Sequence, residues 1–274
     1  MEVLSKEALK EMDNKAINDF GIPSIVLMEN AGEKIKNKVI NEGETFIIIC
    51  GTGNNGGDGL VVGRKLILEN KKVHIFVVGN MEKGTKDFKV NLKILLNMKT
   101  NINNIENNLD LNKLKSIVEK DNVIIDALFG IGLNRKLEGI YNDIIEFINS
   151  NEKVISIDIP SGMEANKGVV LGSCVKATKT ITLEAIKRGF IYIKNIENLG
   201  ELSVINIDIP KEIKKRVSEK VHILPKEVYK NKIPKRNKGS HKGDFGKVAI
   251  VGGSESFVGQ YTYLLKQRLE LEVD

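Results

Sequence analysis

The segment most typical of a ligand-binding site is FIIICGTGNNGGDG at residues 46–59, where a glycine-dense turn follows an apolar run. An apolar strand that ends in such a turn and leads into a helix brings backbone N–H groups close to a bound phosphate. The turn also carries Asn54, Asn55 and Asp58, whose side chains can reach the same ligand. We therefore predict that residues 51–59 form one wall of a ligand site.

Three aspartates follow apolar runs at separate points of the chain. Asp58 lies in the glycine-dense turn, Asp126 in VIIDALFGIGL and Asp158 in SIDIPSG. A single aspartate at such a place would most simply be a helix cap or a turn former. Three of them, each beside a glycine-bearing loop at the end of a predicted strand, indicate a shared site at one edge of a sheet.

Side-chain oxygens dominate the candidate metal ligands. The amide of Asn55, the carboxylate of Asp126 and the hydroxyl of Ser161 suit a hard cation, either Mg²⁺ or an alkali ion. With so few carboxylates, a singly charged ion fits this set. The three histidines and two cysteines are scattered and do not predict a zinc site.

Nucleophilic catalysis has little support in the sequence. Ser161 lies in IPSGM, which lacks the G-x-S-x-G pattern of a nucleophile elbow and has no histidine nearby. Cys50 ends an apolar strand, where a cysteine is typical of a core. General acid–base catalysis by aspartate remains the chemistry that these residues favour.

The turn formally matches the dinucleotide-binding pattern G-x-G-x-x-G, as GTGNNG. That reading also requires an acidic residue near the end of the next strand, to hold the ribose hydroxyls. The next strand, VHIFVVGN, ends in Gly79 and Asn80, and Glu82 comes only after the turn. A standard nicotinamide dehydrogenase is therefore disfavoured, as is a P-loop nucleotidase, because no G-x-x-x-x-G-K-[ST] occurs.

An alternation of strand and helix patterns must position these residues. Continuous apolar strands separated by helices predict an α/β fold with a parallel sheet covered on both faces. Two helices are expected first, one over residues 5–20 and one from Pro23 onward. We then predict strands at 45–50, 73–78, 123–128, 154–159, 180–183 and 203–207, and helices at about 58–69, 85–98, 110–119 and 138–149.

The composition is typical of a globular protein, and the positive charge is concentrated. The 274 residues carry a net charge of +6, and residues 211–247 hold 13 Lys and Arg against 4 Asp and Glu. This segment lacks dense aromatic–basic interleaving, so we expect a solvated linker and no nucleic-acid partner. No apolar stretch is long enough for a transmembrane helix, the N-terminus reads as a helix, and free cysteines fit a cytoplasmic protein without a membrane partner.

Four separated motifs resemble those of one family. LMENAG at 27–32, GTGNNGGDG, DALFGIGL and IDIPSGM, in this order and at these spacings, are similar to NAD(P)H-hydrate epimerase. The resemblance covers roughly residues 1–210. It implies a Rossmann-like three-layer α/β/α sandwich with a mostly parallel central sheet, and a homodimer. The implied activity is the interconversion of the R and S forms of hydrated NADH and NADPH, with one K⁺ per subunit.

The resemblance also assigns residues by position. The implied K⁺ ligands are Asn55, Asp126 and Ser161, the same oxygen set that the chemistry suggests. Within the second substrate loop, Arg135 and Lys136 can pair with substrate phosphates. The implied substrate-binding residues are Asn54, Asn55, Gly56, Gly57, Asp58, Gly130, Ile131, Gly132, Leu133, Asn134, Arg135, Lys136 and Asp158.

The expected reaction is inversion at C6 of the hydrated nicotinamide ring. An aspartic acid protonates the departing C6 hydroxyl, the ring nitrogen assists, and water adds to the opposite face with a carboxylate as base. A nearby carboxylate stabilises the cationic ring. Asp158 is the favoured acid/base and Asp58 is expected to orient the substrate and the ion, although which aspartate is the acid stays open.

The C-terminal part resembles a second enzyme. KGSHKGDFGKVAIVGGSESFVG at 238–259 is similar to the opening of the ADP-dependent NAD(P)H-hydrate dehydratase domain. We predict an epimerase domain at 1–212, a basic linker at 213–246 and an incomplete, ribokinase-like dehydratase start at 247–274. Dehydratase activity is not expected of this chain, because that enzyme's later motifs are absent from the sequence.

Two other functions remain as alternatives. A dinucleotide-dependent oxidoreductase would use the same glycine turn, and the missing acid after the second strand argues against it. A non-catalytic Rossmann-like module could bind a nucleotide, or RNA through the basic segment. The joint presence of Asn54, Asn55, Asp58, Asp126 and Asp158 weighs against that reading.

Overall fold

A computed structural model gives the fold of the chain and describes residues 2–217, 219, 221–223 and 239. Most of the predicted linker and the whole of the predicted dehydratase start, 247–274, lie outside the described residues. The domain boundaries therefore stay predictions. No helix in the described part of the chain is both long and apolar enough to cross a membrane.

A parallel sheet of seven strands forms the centre of the fold. Its order is β4-β3-β2-β5-β6-β7-β9, and every neighbouring pair in it is parallel. The strands of the described residues are β1 Glu2–Leu4, β2 Thr45–Cys50, β3 Lys72–Val78, β4 Ile102–Ile105, β5 Val123–Ala127, β6 Val154–Ile157, β7 Lys179–Leu183, β8 Ile186–Lys187, β9 Glu201–Ile205 and β10 Val221–His222.

Helices cover both faces of this sheet. Apolar side chains from α1, α2, α3, α4 and α8 pack on one face, and those of α5 and α6 pack on the other. Strand β2 shows the alternation, since Ile48 faces the first layer and Ile49 the second. The helices are α1 Lys6–Asn18, α2 Ser24–Val39, α3 Asn54–Leu68, α4 Lys86–Asn97, α5 Asn108–Ile117, α6 Ile140–Asn149, α7 Ile196–Leu199 and α8 Lys211–Val217.

A second, small sheet ties the N-terminus to the rest of the fold. Strand β1 lies between β8, to which it is parallel, and β10, to which it is antiparallel. Ser5 follows β1 and caps α1 by accepting a hydrogen bond from the Ala8 N–H, and its own N–H and Oγ both donate to the Glu219 carboxylate. The start of helix α1 is thereby fixed both by the preceding strand β1 and by its cap, Ser5.

The expected three-layer α/β/α fold with a parallel sheet is confirmed. The elements that the sequence did not reveal are short: β1, β4, β8, β10, the single-turn helix α7 and the two-turn helix α8. Strands of two to four residues are too brief to show an alternating pattern. Helix α3 also begins at Asn54 and not near residue 58, so the asparagines of the glycine-dense turn lie in its first turn.

Candidate functional site

The candidate site lies where the order of the parallel strands reverses, between β2 and β5. The helix that follows β2, α3, packs on one face of the sheet, and the helix that follows β5, α6, packs on the other. A crevice opens between two such connections at the carboxyl ends of the strands, and this is where open α/β sheets bind ligands.

This crevice contains a cavity of about 550 Å³. It is large enough for most of a dinucleotide, given the usual size of ligand sites. Its wall includes Asn54, Asn55, Asp58, residues 130–135 and Asp158, so the structure gathers most of the sequence-predicted site residues around one space. Gly56, Gly57 and Lys136 are not part of that wall, and Asp126 and Ser161 lie behind it.

Close backbone contacts explain the glycines at the base of the crevice. A Cβ added to Gly56 would lie 1.7 Å from the carbonyl oxygen of Gly51, and one added to Gly51 would lie 2.0 Å from that of Leu128. The start of α3 is thereby pressed against the end of β2, and the end of β2 against that of β5. Helix α3 is 15 residues long, and its first backbone N–H groups, together with its dipole, favour an anion at this end.

Asn55 carries a buried oxygen that has no hydrogen-bond partner among the described residues. Its Nδ2 donates to the backbone carbonyl of Phe129 at 3.1 Å, while its Oδ1 is buried and unpaired. An unpaired buried acceptor costs about 1–3 kcal/mol unless a ligand satisfies it. This oxygen therefore marks a place where a donor or a cation is expected.

Asp126 sits at the centre of a buried hydrogen-bond network next to Asn55. Its carboxylate accepts from the Ser156 Oγ at 2.8 Å, the Ser161 Oγ at 2.6 Å and the Ser161 N–H at 2.9 Å. Burial raises the pKa of Asp126, and these hydrogen bonds oppose the rise. The Phe129 N–H donates to the Ser161 Oγ at 2.9 Å, so Phe129 joins this network to Asn55.

The donor chemistry of these residues fits a hard, singly charged cation. An amide oxygen, a carboxylate and a hydroxyl are all oxygen ligands, and together they bring one negative charge. The unpaired Asn55 Oδ1 supplies a ligand that the protein itself leaves unsatisfied. In the described residues, no group of three or more His, Cys, Asp or Glu side chains is arranged to hold a metal ion.

Asp158 lines the cavity and forms an ion pair with a buried lysine. The ammonium of Lys187, which is 1% exposed, donates to Asp158 Oδ1, and the Leu183 N–H donates to the same oxygen at 3.1 Å. Lys187 also donates to the Thr182 Oγ1 at 2.7 Å. Asp158 has a φ of +66°, a left-handed conformation that aspartate tolerates better than most residues.

Asp58 is a carboxyl in a place that disfavours its charge. Burial, followed by the nearby carboxylates of Asp158, Asp13 and Asp87, raises the pKa of Asp58 well above its ordinary value, and the Lys187 ammonium only partly opposes this. Asp58 thus holds a proton at pH values where an ordinary aspartate has lost it. A protonated Asp58 beside the Asp158–Lys187 ion pair provides two carboxyls with different environments, which is how enzymes separate acid from base.

The second loop, residues 130–136, contributes anchored apolar residues and exposed basic ones. Leu133 is buried in the core beneath α6, while Arg135 and Lys136 are exposed. Only Arg135 of these two lines the cavity. A guanidinium at this point can pair with a substrate phosphate.

Sequence reasoning missed several residues of the wall. Lys10 and Asp13 come from α1, Thr85 from the cap of α4, and Tyr141 from α6, where its ring contacts Phe129 with centroids 5.2 Å apart. Lys187 lies behind the wall and was missed as well. The polar positions beside the apolar stripe of α1 were visible in the sequence, but nothing there indicated which of them would face a cleft.

Comparisons with known proteins find one family model and several similar enzymes. The family model described as YjeF-related protein N-terminus matches residues 24–189. The NAD(P)H-hydrate epimerase of Elusimicrobium minutum is 34% identical over 225 residues, which cover 79% of this chain and 100% of that protein. The corresponding epimerase of Anaerococcus prevotii is 37% identical over 191 residues, covering 69% of this chain and 88% of that protein.

A longer relative and a solved structure also match. The bifunctional NAD(P)H-hydrate repair enzyme Nnr of Moorella thermoacetica is 31% identical over 269 residues, which are 96% of this chain and 51% of that enzyme. The chain thus spans about half the length of the bifunctional relatives. The crystal structure of yeast Ynu0 (YNL200c) shares the fold, with a TM-score of 0.67 and 22% identity over 79% of this chain and 93% of that one. With a family model over more than half of its residues and a relative matched along its whole length, the chain belongs to the YjeF-related N-terminal family, that of the NAD(P)H-hydrate epimerases.

Proposed function

We propose that this protein interconverts the R and S epimers of hydrated NADH and NADPH. The observation that carries the proposal is a cavity at the strand crossover, which gathers a helix N-terminus, Arg135 and two carboxyls in different environments, Asp58 and Asp158. The first two suit the phosphates of a dinucleotide, and the carboxyls suit proton transfer and a cationic ring. Relatives named NAD(P)H-hydrate epimerase support this substrate.

In this mechanism Asp58 and Asp158 have different roles. The protonated Asp58 donates its proton to the C6 hydroxyl, which leaves as water while the ring nitrogen lone pair forms the C6=N1 bond. The carboxylate of Asp158, held by Lys187, stabilises the cationic ring. Water then adds to the opposite face and loses a proton. The sequence favours Asp158 as the acid/base, whereas this proposal gives the role of acid to Asp58.

We also propose a K⁺ site formed by Asn55, Asp126 and Ser161. When bound, the ion supplies a fixed positive charge that favours the phosphate-bearing substrate beside the start of α3. The residues themselves order the end of β5, since Ser161 and Asn55 both bond to the backbone of Phe129. The homodimer and the cytoplasmic location stay predictions.

The oxidoreductase reading finds no support in the cavity wall. Strand β3 contributes Val78 to that wall, and Glu82 of the following 3-10 turn is not part of it. No acidic side chain from this turn is thus placed to hold ribose hydroxyls. Tight binding of unmodified NADH with turnover of a hydride donor would favour the oxidoreductase, whereas an RNA mobility shift without epimerisation would favour the binding module.

Isotope labelling tests the proposed route. Breaking the C6–O bond requires that the new epimer takes its hydroxyl oxygen from solvent. We expect one ¹⁸O per inverted molecule when the reaction runs in H₂¹⁸O, above the exchange seen without protein. Inversion without ¹⁸O would show that the ring opens at C6–N1 instead and would contradict this mechanism.

A further inference from the structure

Helix α1 forms a wall of the cleft, and Asp13 is the carboxyl that it contributes. Asp13 lines both the main cavity and an adjoining side cavity of about 310 Å³. Leu9, Met12 and Ala16 of the same helix are buried in the core. This buried face fixes the rotation of α1 and keeps Asp13 turned toward the cleft.

The small sheet holds Asp13 and Lys187 in a fixed relation. Strand β1 runs directly into α1, and its Leu4 pairs with Lys187 of β8. The Ser5 cap and its bonds to Glu219 secure the start of the helix. The element that places Lys187 against Asp158 therefore also places Asp13 in the same cleft.

Asp13 faces several charged groups. Lys10 of its own helix, Asp58 of α3 and Asp87 of α4 share the side cavity with it, and Asp158, Glu184 and Lys187 act on it from the ends of β6, β7 and β8. Asp13 stays open to solvent, but the cleft walls displace much of its water. This desolvation, and then the charge of Asp158, raises the pKa of Asp13 to about 6, with Lys187 opposing and Glu184 adding to the rise.

Inversion at C6 needs one proton-transfer group on each face of the nicotinamide ring. Asp58 provides one. The Oδ1 of Asp158 is already engaged by Lys187 and the Leu183 N–H, so these protein donors hold that carboxylate in place. The Asp13 carboxyl makes no hydrogen bond or ion pair with the described residues, so it is free to act on a ligand.

We propose that Asp13 is a further catalytic residue, the proton-transfer partner of Asp58. This inference rests on the proposed epimerase function. Asp58 gives its proton to the C6 hydroxyl, the C6–O pair leaves with the water, and the nitrogen lone pair forms C6=N1. A second water donates a lone pair to C6 on the other face, the C6=N1 pair returns to nitrogen, and the Asp13 carboxylate takes the released proton. The reverse direction uses Asp13 as acid and Asp58 as base. Proton exchange with solvent then returns both carboxyls to their starting protonation states.

The test compares Asp13→Asn with Asp13→Glu and with Asp19→Asn, an exposed aspartate just past the end of the same helix. Each purified variant is given one resolved hydrate epimer, and kcat, KM and the pH profile are measured. We expect D13N to lose about 10²–10⁴-fold in kcat with little change in KM, and to lose the limb of the profile near pH 6. D13E should retain more activity than D13N, and D19N should match the wild type.

The outcomes separate this inference from the proposed function. An active wild type with a D13N variant within about twofold of its kcat would overturn the role of Asp13 alone. A D13N variant that loses kcat while its pH limb near 6 persists would also overturn that role. A wild type without epimerase activity would overturn the proposed function and this inference together.

Discussion

The ammonium of Lys187 donates a hydrogen bond to Oδ1 of Asp158, and this buried ion pair joins the small sheet to the main one. Lys187 also bonds to the Thr182 hydroxyl and the Leu183 carbonyl, so its three donors are engaged. The pair sets the charge of the cleft, because it places the positive end of Lys187 near the carboxyls of Asp13 and Asp58.

Replacing Lys187 with methionine should destabilise the protein and shift its pH profile. Asp158 would keep a buried charge without its partner, at a cost of about 3–5 kcal/mol. Lys187 lowers the pKa of both Asp13 and Asp58, so in K187M both pKa values rise and the limb near pH 6 moves upward. Chemical denaturation and the pH profile of epimerisation measure these two effects.

Two further variants separate charge from packing at this position. The double variant K187M/D158N should recover part of the lost stability, because neither charge is then buried alone. Lys179→Met removes a lysine of β7 that pairs with Glu42 away from the cleft, and it should leave the pH profile unchanged. An unshifted profile in K187M would contradict the electrostatic role given to Lys187.

Asp58→Asn should make the stability of the protein less dependent on pH. In the wild type the raised pKa of Asp58 means that the folded state holds its proton more tightly than the unfolded state. Stability is therefore full below the ordinary pKa of 3.8 and falls as the pH rises through the folded pKa. D58N has no such proton, so its melting temperature should rise relative to that of the wild type as the pH increases from 4 to 8. Its kcat should fall about 10²–10⁴-fold. A constant difference in melting temperature across that range would contradict the raised pKa.

Potassium should stabilise the wild type through Asn55. A ligand that binds only the folded state raises its stability by RT ln(1 + [L]/Kd), about 2.7 kcal/mol at 100 times Kd. We expect a higher melting temperature in KCl than in tetramethylammonium chloride at equal ionic strength. Asn55→Ala should abolish the difference, and Asn37→Ala, an exposed residue of α2, should retain it. An N55A variant with an undiminished K⁺ effect would place the ion elsewhere.

Gly56→Ala should disrupt the base of the crevice. The new Cβ would lie 1.7 Å from the Gly51 carbonyl, a backbone atom that cannot move aside cheaply. We expect a loss of about 3 kcal/mol, at the upper end of the usual cost of overpacking. Gly53→Ala is the control, because a Cβ there meets open space and its φ is −84°. Equal stability of G56A and G53A in denaturant melts would refute the close contact.

The sequence predicted the sheet and the residues at its carboxyl edge because these depend on long local patterns. The five-residue run of β5 places Asp126, and the register of the sheet then places it opposite Ser156. Asp13 and Lys187 could not be assigned, since their positions depend on β1 and β8, strands of three and two residues that lie far apart in the chain.

The start of α3 shows how packing overrides local propensity. Glycine-rich sequence disfavours a helix, which is why the prediction began the helix near residue 58. The structure begins it at Asn54, because only residues without a Cβ fit against the Gly51 carbonyl and against Ala127 of β5. Asn54 and Asp58 thus lie on helical turns that face the cleft.

The most direct measurement gives the protein one purified epimer of hydrated NADH or NADPH in KCl and follows the appearance of the other by chromatography. We predict that the two forms reach equilibrium much faster than in buffer alone, and that D58N and a bulky cation in place of K⁺ both slow the approach. Interconversion at the uncatalysed rate, with folded wild-type protein and K⁺ present, would contradict the account.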